Sequence, residues 1–435
     1  MRPASALPLI LWCALTIPST GLGEEIKPAS FRLFGGFTAT YFAVSHAYFG
    51  AAGQPGGGGH GDYFWLESMA NLRGELALGA HFRALLGIHG MATLGRDYYG
   101  LDDSRELIVD RAELGVTDIG GSGLSLTLGR QDLQIGDGFI IGDGYFETKA
   151  TLWSIPLSFF DALRADYSAG PFHATALLAR LDDSFPAPCE WCEPQEGSLA
   201  GLDLAWQSER WSAAMGHFRR NDHAEVGNDG AITAVRGALK LGPVTLAGEY
   251  GRESGALDQV GGENAVSRVD LAGEAFHLDV TWELPAGRDT YVKGSYLAFS
   301  GDDPGTREWE QYSRWNYRWN DWNRYYIGDI IGSQFLFNQD ERVIMLEGGL
   351  APGETTRLRL FLLRTRLDTG SALGGLPPGV SKDFSDEIMV VLDYAPRPNL
   401  STWVLLAWAR PRGAARALIG SDDCAEVLTS LSVIF

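Results

Sequence analysis

Cations and acids recur two residues apart at three places in the chain: Arg73 with Glu75, Arg111 with Glu113, and Arg164 with Asp166. Side chains of an extended strand alternate between its faces, so each of these pairs shares one face. If the aliphatic residues between them meet an apolar medium, the same parity gathers Arg73, Arg83, Arg111, Arg164, Arg236, Lys240, Lys293, Arg357 and Arg359 on the opposite face. Acids with that orientation are fewer: Glu75, Glu113, Asp166 and Glu249. Two kinds of chemistry fit the pattern, and they are compatible. Rows of guanidinium and ammonium groups along a narrow aqueous path attract anions. Interleaved with carboxylates, the same groups form ion-pair ladders that brace a wall. The chain as a whole carries a net charge of −20, which argues against nucleic acid or another polyanion binding its outer surface. Much of that negative charge falls in expected loops and turns, for example Asp102, Asp103, Asp182, Asp183, Glu190, Glu193, Glu196, Asp302, Asp303, Asp422 and Asp423. A locally cationic face is therefore compatible with an acidic chain.

Other residue clusters carry weaker chemistry. Between Trp309 and Tyr326, aromatic residues interleave with Arg307, Arg314, Arg318 and Arg324. Tyr312, Trp315, Trp319, Trp322 and Tyr326 would form one stripe on a helix, whereas Trp315, Tyr317 and Trp319 also fit a strand. Aromatic faces stack on sugar rings and guanidinium groups pair with carboxylates, so such a loop suits an acidic saccharide. The same residues equally suit an aromatic girdle or a packed plug. Cys189 and Cys192 stand in a C-x-x-C spacing within a long polar stretch. A metal site there would need two further ligands and none is clustered nearby, so a local loop disulfide is the expectation. His89, His173, His217 and His277 are available as bases, but no nucleophile motif of the G-x-S-x-G type accompanies them. No catalytic residue, metal or cofactor is expected.

The elements that must position these residues are strands. About eighteen segments alternate with period two in the manner of barrel strands: 31–43, 64–79, 81–93, 105–118, 122–132, 158–168, 171–181, 198–208, 211–220, 230–241, 243–253, 267–283, 288–299, 341–351, 355–367, 385–395, 398–409 and 426–435. Leu124, Leu126 and Leu128 oppose Ser125, Thr127 and Gly129, and Phe82, Ala84, Leu86 and Ile88 oppose Arg83 and His89. Tight junctions such as Leu78-Gly79-Ala80-His81, Gly170-Pro171 and Leu241-Gly242-Pro243 alternate with long polar ones at 182–197, 220–230, 253–267 and 300–340. Residues 1–23 read as a secretory signal, with Arg2, an apolar run from Leu7 to Ile17 and small residues after it. No other segment offers the roughly 18 consecutive apolar residues of a membrane-spanning helix. The remainder, 24–435, reads as one domain, with 55 Gly, 11% aromatic residues and 6 Met. The fold class expected is all-β: a closed antiparallel transmembrane β-barrel of about 18 strands with short periplasmic turns and long extracellular loops.

The last strand places Val427, Thr429, Leu431, Val433 and Phe435 on one face. It resembles the closing strand of bacterial outer-membrane barrels, in which a terminal aromatic residue is the assembly signal. That resemblance implies outer-membrane lipid and the barrel assembly machinery as partners.

A more particular resemblance lies in Leu128-Gly129-Arg130-Gln131-Asp132-Leu133-Gln134-Ile135-Gly136-Asp137-Gly138-Phe139-Ile140-Ile141-Gly142. This stretch is similar to the "GRQ, then GD, then G" signature of the alginate-export family of outer-membrane barrels. It is followed, as in that family, by Trp153 and by a strand beginning Ser158-Phe159-Phe160-Asp161-Ala162-Leu163-Arg164. Tyr326-Ile327-Gly328-Asp329, and Gly348 to Pro352 with the Arg-rich strand after it, are similar too. The resemblance implies a barrel with an electropositive pore that passes an anionic carbohydrate, a polyuronate. The chain departs from that pattern at Phe139, where the family usually has Arg, and in long insertions at 182–197 and 300–325. Within the signature, Arg130, Asp132, Asp137 and Asp143 either shape a constriction, with Arg130 on an anionic solute, or belong to turns in which the aspartates cap and the glycines supply positive φ. A general or small-anion porin of the same architecture is the alternative function, and a barrel enzyme a third.

Overall fold

The alternating segments become strands because a chain passing through hydrocarbon must satisfy every backbone N–H and C=O within the protein, and a sheet does so only by closing on itself. The computed structural model describes residues 29–51, 62–96, 105–142, 160–182, 196–222, 228–260, 266–312, 328–336 and 338–435. Its strands are β1 (Ser30–Ser45), β2 (Tyr63–Leu78), β3 (Phe82–Arg96), β4 (Arg105–Val116), β5 (Leu124–Gln131), β6 (Phe160–Ala169), β7 (Phe172–Asp182), β8 (Glu196–Gln207), β9 (Trp211–Asp222) and β10 (Asn228–Leu241). They continue as β11 (Val244–Val260), β12 (Val266–Leu271), β13 (Glu274–Glu283), β14 (Tyr291–Phe299), β15 (Glu308–Trp309), β16 (Glu341–Leu350), β17 (Thr356–Leu367), β18 (Asp383–Arg397), β19 (Leu400–Pro411) and β20 (Cys424–Ile434).

Of this 20-stranded sheet, β12 and β15 lie off the wall, because β13 pairs with β11 and β16 pairs with β14 across them. Eighteen strands remain, each antiparallel to its neighbours. The seam closes where β1 pairs with β20, from Gly36 opposite Ile434 to Ser45 opposite Ala425. Phe435 completes it by exchanging two backbone hydrogen bonds of 2.9 Å with Gly35.

Each segment expected to be a strand has a counterpart, with one difference. The stretch 267–283 is two strands. β11 outlasts the wall, and its outer end, Ala256–Val260, pairs with β12 before the chain turns at Ala272-Gly273 and enters the wall as β13. The tight junctions lie where the glycines predict them, with Gly170 at φ +58° and Gly242 at φ +61° opening turns between strands.

Outward positions carry the apolar band. On β16 and β17, Ile344, Leu346, Leu360 and Leu362 face out, while Val343, Met345, Phe361 and Leu363 are buried inside. Outward aromatic residues gather in two belts. Tyr167, Trp206, Trp211, Trp282 and Tyr394 lie near the short turns, and Tyr41, Phe64 and Trp408 near the long loops. A closed wall that is apolar outside, belted by aromatic residues and charged at many positions within is the architecture of a bacterial outer-membrane protein.

Candidate functional site

The inner wall carries the charged residues, and they are paired. Arg73 meets Asp110 at 2.6 Å, Arg83 meets Glu113 at 2.9 Å, Arg164 meets Asp166 at 2.7 Å and Arg359 meets Asp393 at 2.9 Å. Arg236 grips Asp203 with two bonds of 2.7 Å. Lys240 lies 3.5 Å from Glu283, and Lys293 3.7 Å from Asp279. Arg111 bonds Asp132. Among the described residues only Arg357, of the cations expected on this face, makes no ion pair. Of the two compatible readings of this face, the ion-pair ladder has its counterpart here, and the acids on the face are more numerous than the four expected. Arg164–Asp166 is the one expected same-strand pair that forms. Glu75 instead joins Arg32 of β1, and Glu113 joins Arg83 of β3. Long side chains reach an opposed residue on the next strand as readily as one two positions along their own.

Asp110 was hidden from parity by a β-bulge. Gly87 opposes Arg111 while Ile88 opposes Val109, so Asp110 is the extra residue, and both Asp110 and Arg111 turn inward and are buried. The Asp110 carboxylate fills the space beside Gly87, where a Cβ would lie 2.5 Å from its Oδ1.

Arg130 requires a correction. It falls on the face of Leu126 and Leu128, the outward one, where Nε and Nη2 each bond Asp161 at 2.9 Å. Asp161 likewise shares the outward parity of Leu163. Arg130 thus belongs to an outer-face ion pair and does not line the lumen.

Two of the described segments fold into the barrel from the loop end. The first, 132–142, follows β5. Leu133, Ile135, Phe139, Ile140 and Ile141 are buried, a bridge joins Gln134 to Gly142, and the Ile140 side chain occupies the space left by Gly251 of β11. Arg111 and Arg164 tie its start to the wall, the latter through the Asp132 carbonyl at 3.4 Å. Of the two readings of its aspartates, the turn reading has its counterpart at Asp137. Asp137 caps a turn by accepting from the Phe139 amide at 3.0 Å, with Gly136 at φ +64° before it and Gly138 at φ +88° after it. The stretch is also an inward loop. The Phe139 ring, where the resembled family usually has Arg, packs against His277 at 4.7 Å and Phe299 at 5.7 Å.

The second segment is 328–336. Its helical turn Asp329–Ile331 presents the amides of Ile330 and Ile331 to Glu387 of β18, at 2.9 and 3.2 Å. A carboxylate on helix-start amides satisfies donors that have no partner within the turn. Phe335 then stacks on Phe49 at 4.8 Å and meets Phe384 at 5.7 Å. Asp329 shares a hydrogen bond with Glu426 of β20.

Sequence reasoning missed Asp203, Asp279, Glu283, Glu347, Glu387, Asp393 and Glu426. All point inward, and the parity that selected the arginines, applied to acids, would have found them. Trp315, Trp319, Trp322, Cys189, Cys192, Asp143 and residues 1–23 lie outside the described residues. Cys424 is buried.

No protein-family model matches the chain and no curated protein does. Among solved structures it is similar to Acinetobacter baumannii OccAB1, with 11% identity and a TM-score of 0.59 over 94% of this chain and 97% of that one. Pseudomonas aeruginosa OprD is similar with 13% identity and a TM-score of 0.55, over 94% and 96% of the two chains. Pseudomonas aeruginosa OccK11 (OpdR) is similar with 12% identity and a TM-score of 0.54, over 93% and 96%. The shared property is the fold, a porin-like barrel. These structures carry Occ and OprD names and not those of alginate-export proteins, so the resemblance read from the sequence holds at the level of a porin-like outer-membrane barrel.

Proposed function

We propose that the chain is a passive outer-membrane channel for small solutes rather than a conduit for a polyuronate. The observation that carries this reading is the pairing of the inner wall. A polymer with a charge on every sugar needs successive cations free to meet it, and here eight inward cations are each within 4 Å of a carboxylate. Exchanging such a partner for a mobile solute would leave a wall carboxylate unneutralised in a partly dry site, which is unfavourable. The two inward segments support the same reading, because they take up lumen that a polymer would need. Full-length similarity to barrels of the Occ and OprD type is in keeping with it. On this reading the outward apolar band contacts lipid, the strand ending in Phe435 is presented to the assembly machinery, and no chemistry is performed on the solute.

Reconstitution in planar bilayers tests the proposal. We expect stable channels of weak ion selectivity whose current is indifferent to added polyuronate. Reversible block at low polymer concentration would overturn it in favour of polysaccharide passage. Charge reversal separates the readings a second time: Arg164→Glu places a carboxylate beside Asp166, so its main expected effect is on barrel stability, whereas Arg357→Glu should shift the reversal potential.

A further inference from the structure

Where the first inward segment meets the wall, three ligating side chains converge. His277 of β13 and Glu249 of β11 are directly opposed in the strand register, and both point inward and are buried. Asp137 descends onto them from the segment 132–142. One ligating atom from each of the three lies within 4.8 Å of the other two, and His277 Nε2 is 3.4 Å from Asp137 Oδ2. The other imidazole nitrogen, Nδ1, lies 3.0 Å from Asp279 Oδ2. A carboxylate only accepts, so Nδ1 carries a proton, and Nε2 is the nitrogen turned toward Asp137 and Glu249, where its lone pair would be offered to a cation. A carboxylate that orients an imidazole whose second nitrogen faces further ligands is the usual second shell of a metal-binding histidine.

The local charge count points the same way. Four carboxylates meet here, Asp137, Glu249, Asp203 and Asp279, against two basic side chains. Arg236 gives both of its bonds to Asp203 while its charge also reaches Glu249 and Asp137, and Lys293 lies beside Asp279. Asp137 and Glu249 share the imidazole between them, and a divalent cation held there would meet two carboxylate oxygens and one ring nitrogen.

We infer that Asp137, Glu249 and His277 form a binding site for a divalent transition cation of the zinc class, which fastens the inward segment to the barrel wall. The donor set of one imidazole nitrogen and two carboxylate oxygens suits Zn2+ or its neighbours. Ca2+ and Mg2+ favour all-oxygen shells. Three protein ligands also leave a coordination position open to water or solute.

Calorimetric titration of Zn2+ into detergent-folded, chelator-treated full-length protein tests the site, with visible absorption of Co2+ as a second probe. The expected result is one saturable site per chain that Ca2+ does not displace. Asp137→Asn, on a segment outside the barrel wall, should abolish it, as should His277→Gln. Asp279→Asn, which acts only through the imidazole, should weaken it by about 10- to 100-fold. His217→Gln, on the outward face, should leave it unchanged, and heat-modified gel mobility reports whether each variant is folded. Absence of saturable binding by the unaltered protein would overturn the inference and leave His277 as an imidazolium bridging three acids. Binding that survives both Asp137→Asn and His277→Gln in folded protein would overturn it as well.

Discussion

At the scale of single residues, the inner wall obeys the rule that a buried charge needs a partner more than it needs a sequence neighbour. Asp110 shows why. Its carboxylate is almost fully buried, bonds Arg73 at 2.6 Å and lies 3.8 Å from Arg111 and 3.6 Å from His89. Removing it would take from Arg73 its carboxylate and leave Arg111 with Asp132 alone, so Asp110→Ala should destabilise the barrel by about 2–4 kcal/mol, below the range for a fully buried pair because Arg73 is partly solvated. Gly87→Ala should act on the same interaction from the other side, because the new methyl group would occupy the place of Oδ1. Denaturant midpoints of the two single variants and the double variant form a cycle. The costs are expected to be strongly non-additive, since either change alone displaces the carboxylate. Additive costs would show that Gly87 serves some purpose other than room for Asp110.

At the scale of elements, the wall strands are the legible part of the sequence and the segments inside the barrel are not. Alternation fixes a strand because one face meets hydrocarbon and the other water, and this holds from β1 to β20 wherever the chain crosses the membrane. The signal fails at Asp110, where a bulge turns two successive residues inward, and at 267–283, where a loop strand and a wall strand read as one. It says nothing of 328–336, whose place is set by contacts with distant strands, Glu387 of β18, Glu426 of β20 and Phe384 of β18. That segment also carries a consequence for pH. Asp329 lies on the folded-in turn and on no membrane-spanning strand, and burial pushes its carboxyl up to about 7 from an ordinary 3.8. Its hydrogen bond with Glu426 opposes that rise, while Glu426 and Glu387 are the acids facing it. Because the docked form holds the proton more tightly than the free form, docking is favoured fully below about pH 4, loses that contribution progressively as pH rises, and has lost it once pH has passed through about 7. Hydrogen exchange at the Ile330 and Ile331 amides should accordingly quicken between about pH 4 and pH 7 by more than the intrinsic chemistry requires, and follow the intrinsic chemistry alone above that. In Asp329→Asn that extra dependence should vanish; its persistence would assign the change to another group.

At the scale of the whole molecule, two solvents act on one sheet, and this explains both what the sequence discloses and what it withholds. Outward residues answer to a medium that cannot pair a charge, so Ile344, Leu346, Leu360 and Leu362 are confined to apolar types and can be read directly. Inward residues answer to partners that the sequence alone does not place, so Arg236 could be assigned to the lumen while its clamp on Asp203, two strands away, could not. Arg130 marks the limit of the rule, a cation on the outward face that persists because Asp161 neutralises it there. The asymmetry between the faces is measurable at one pair of adjacent positions. Leu346 faces outward in the middle of β16, opposite Leu362 of β17 and Gly294 of β14, where no carboxylate is opposed to it. Leu346→Arg should therefore destabilise the folded barrel by about 2–4 kcal/mol. Glu347, the next residue, faces inward and bonds the Tyr291 hydroxyl. Glu347→Gln keeps a hydrogen-bonding side chain in the same space, with about 1 kcal/mol expected for the lost charge-assisted bond. Reversible unfolding in denaturant from lipid vesicles measures both. The order of the two costs is the decisive result: a Leu346→Arg barrel as stable as Glu347→Gln would mean that the outward face does not meet hydrocarbon at that height.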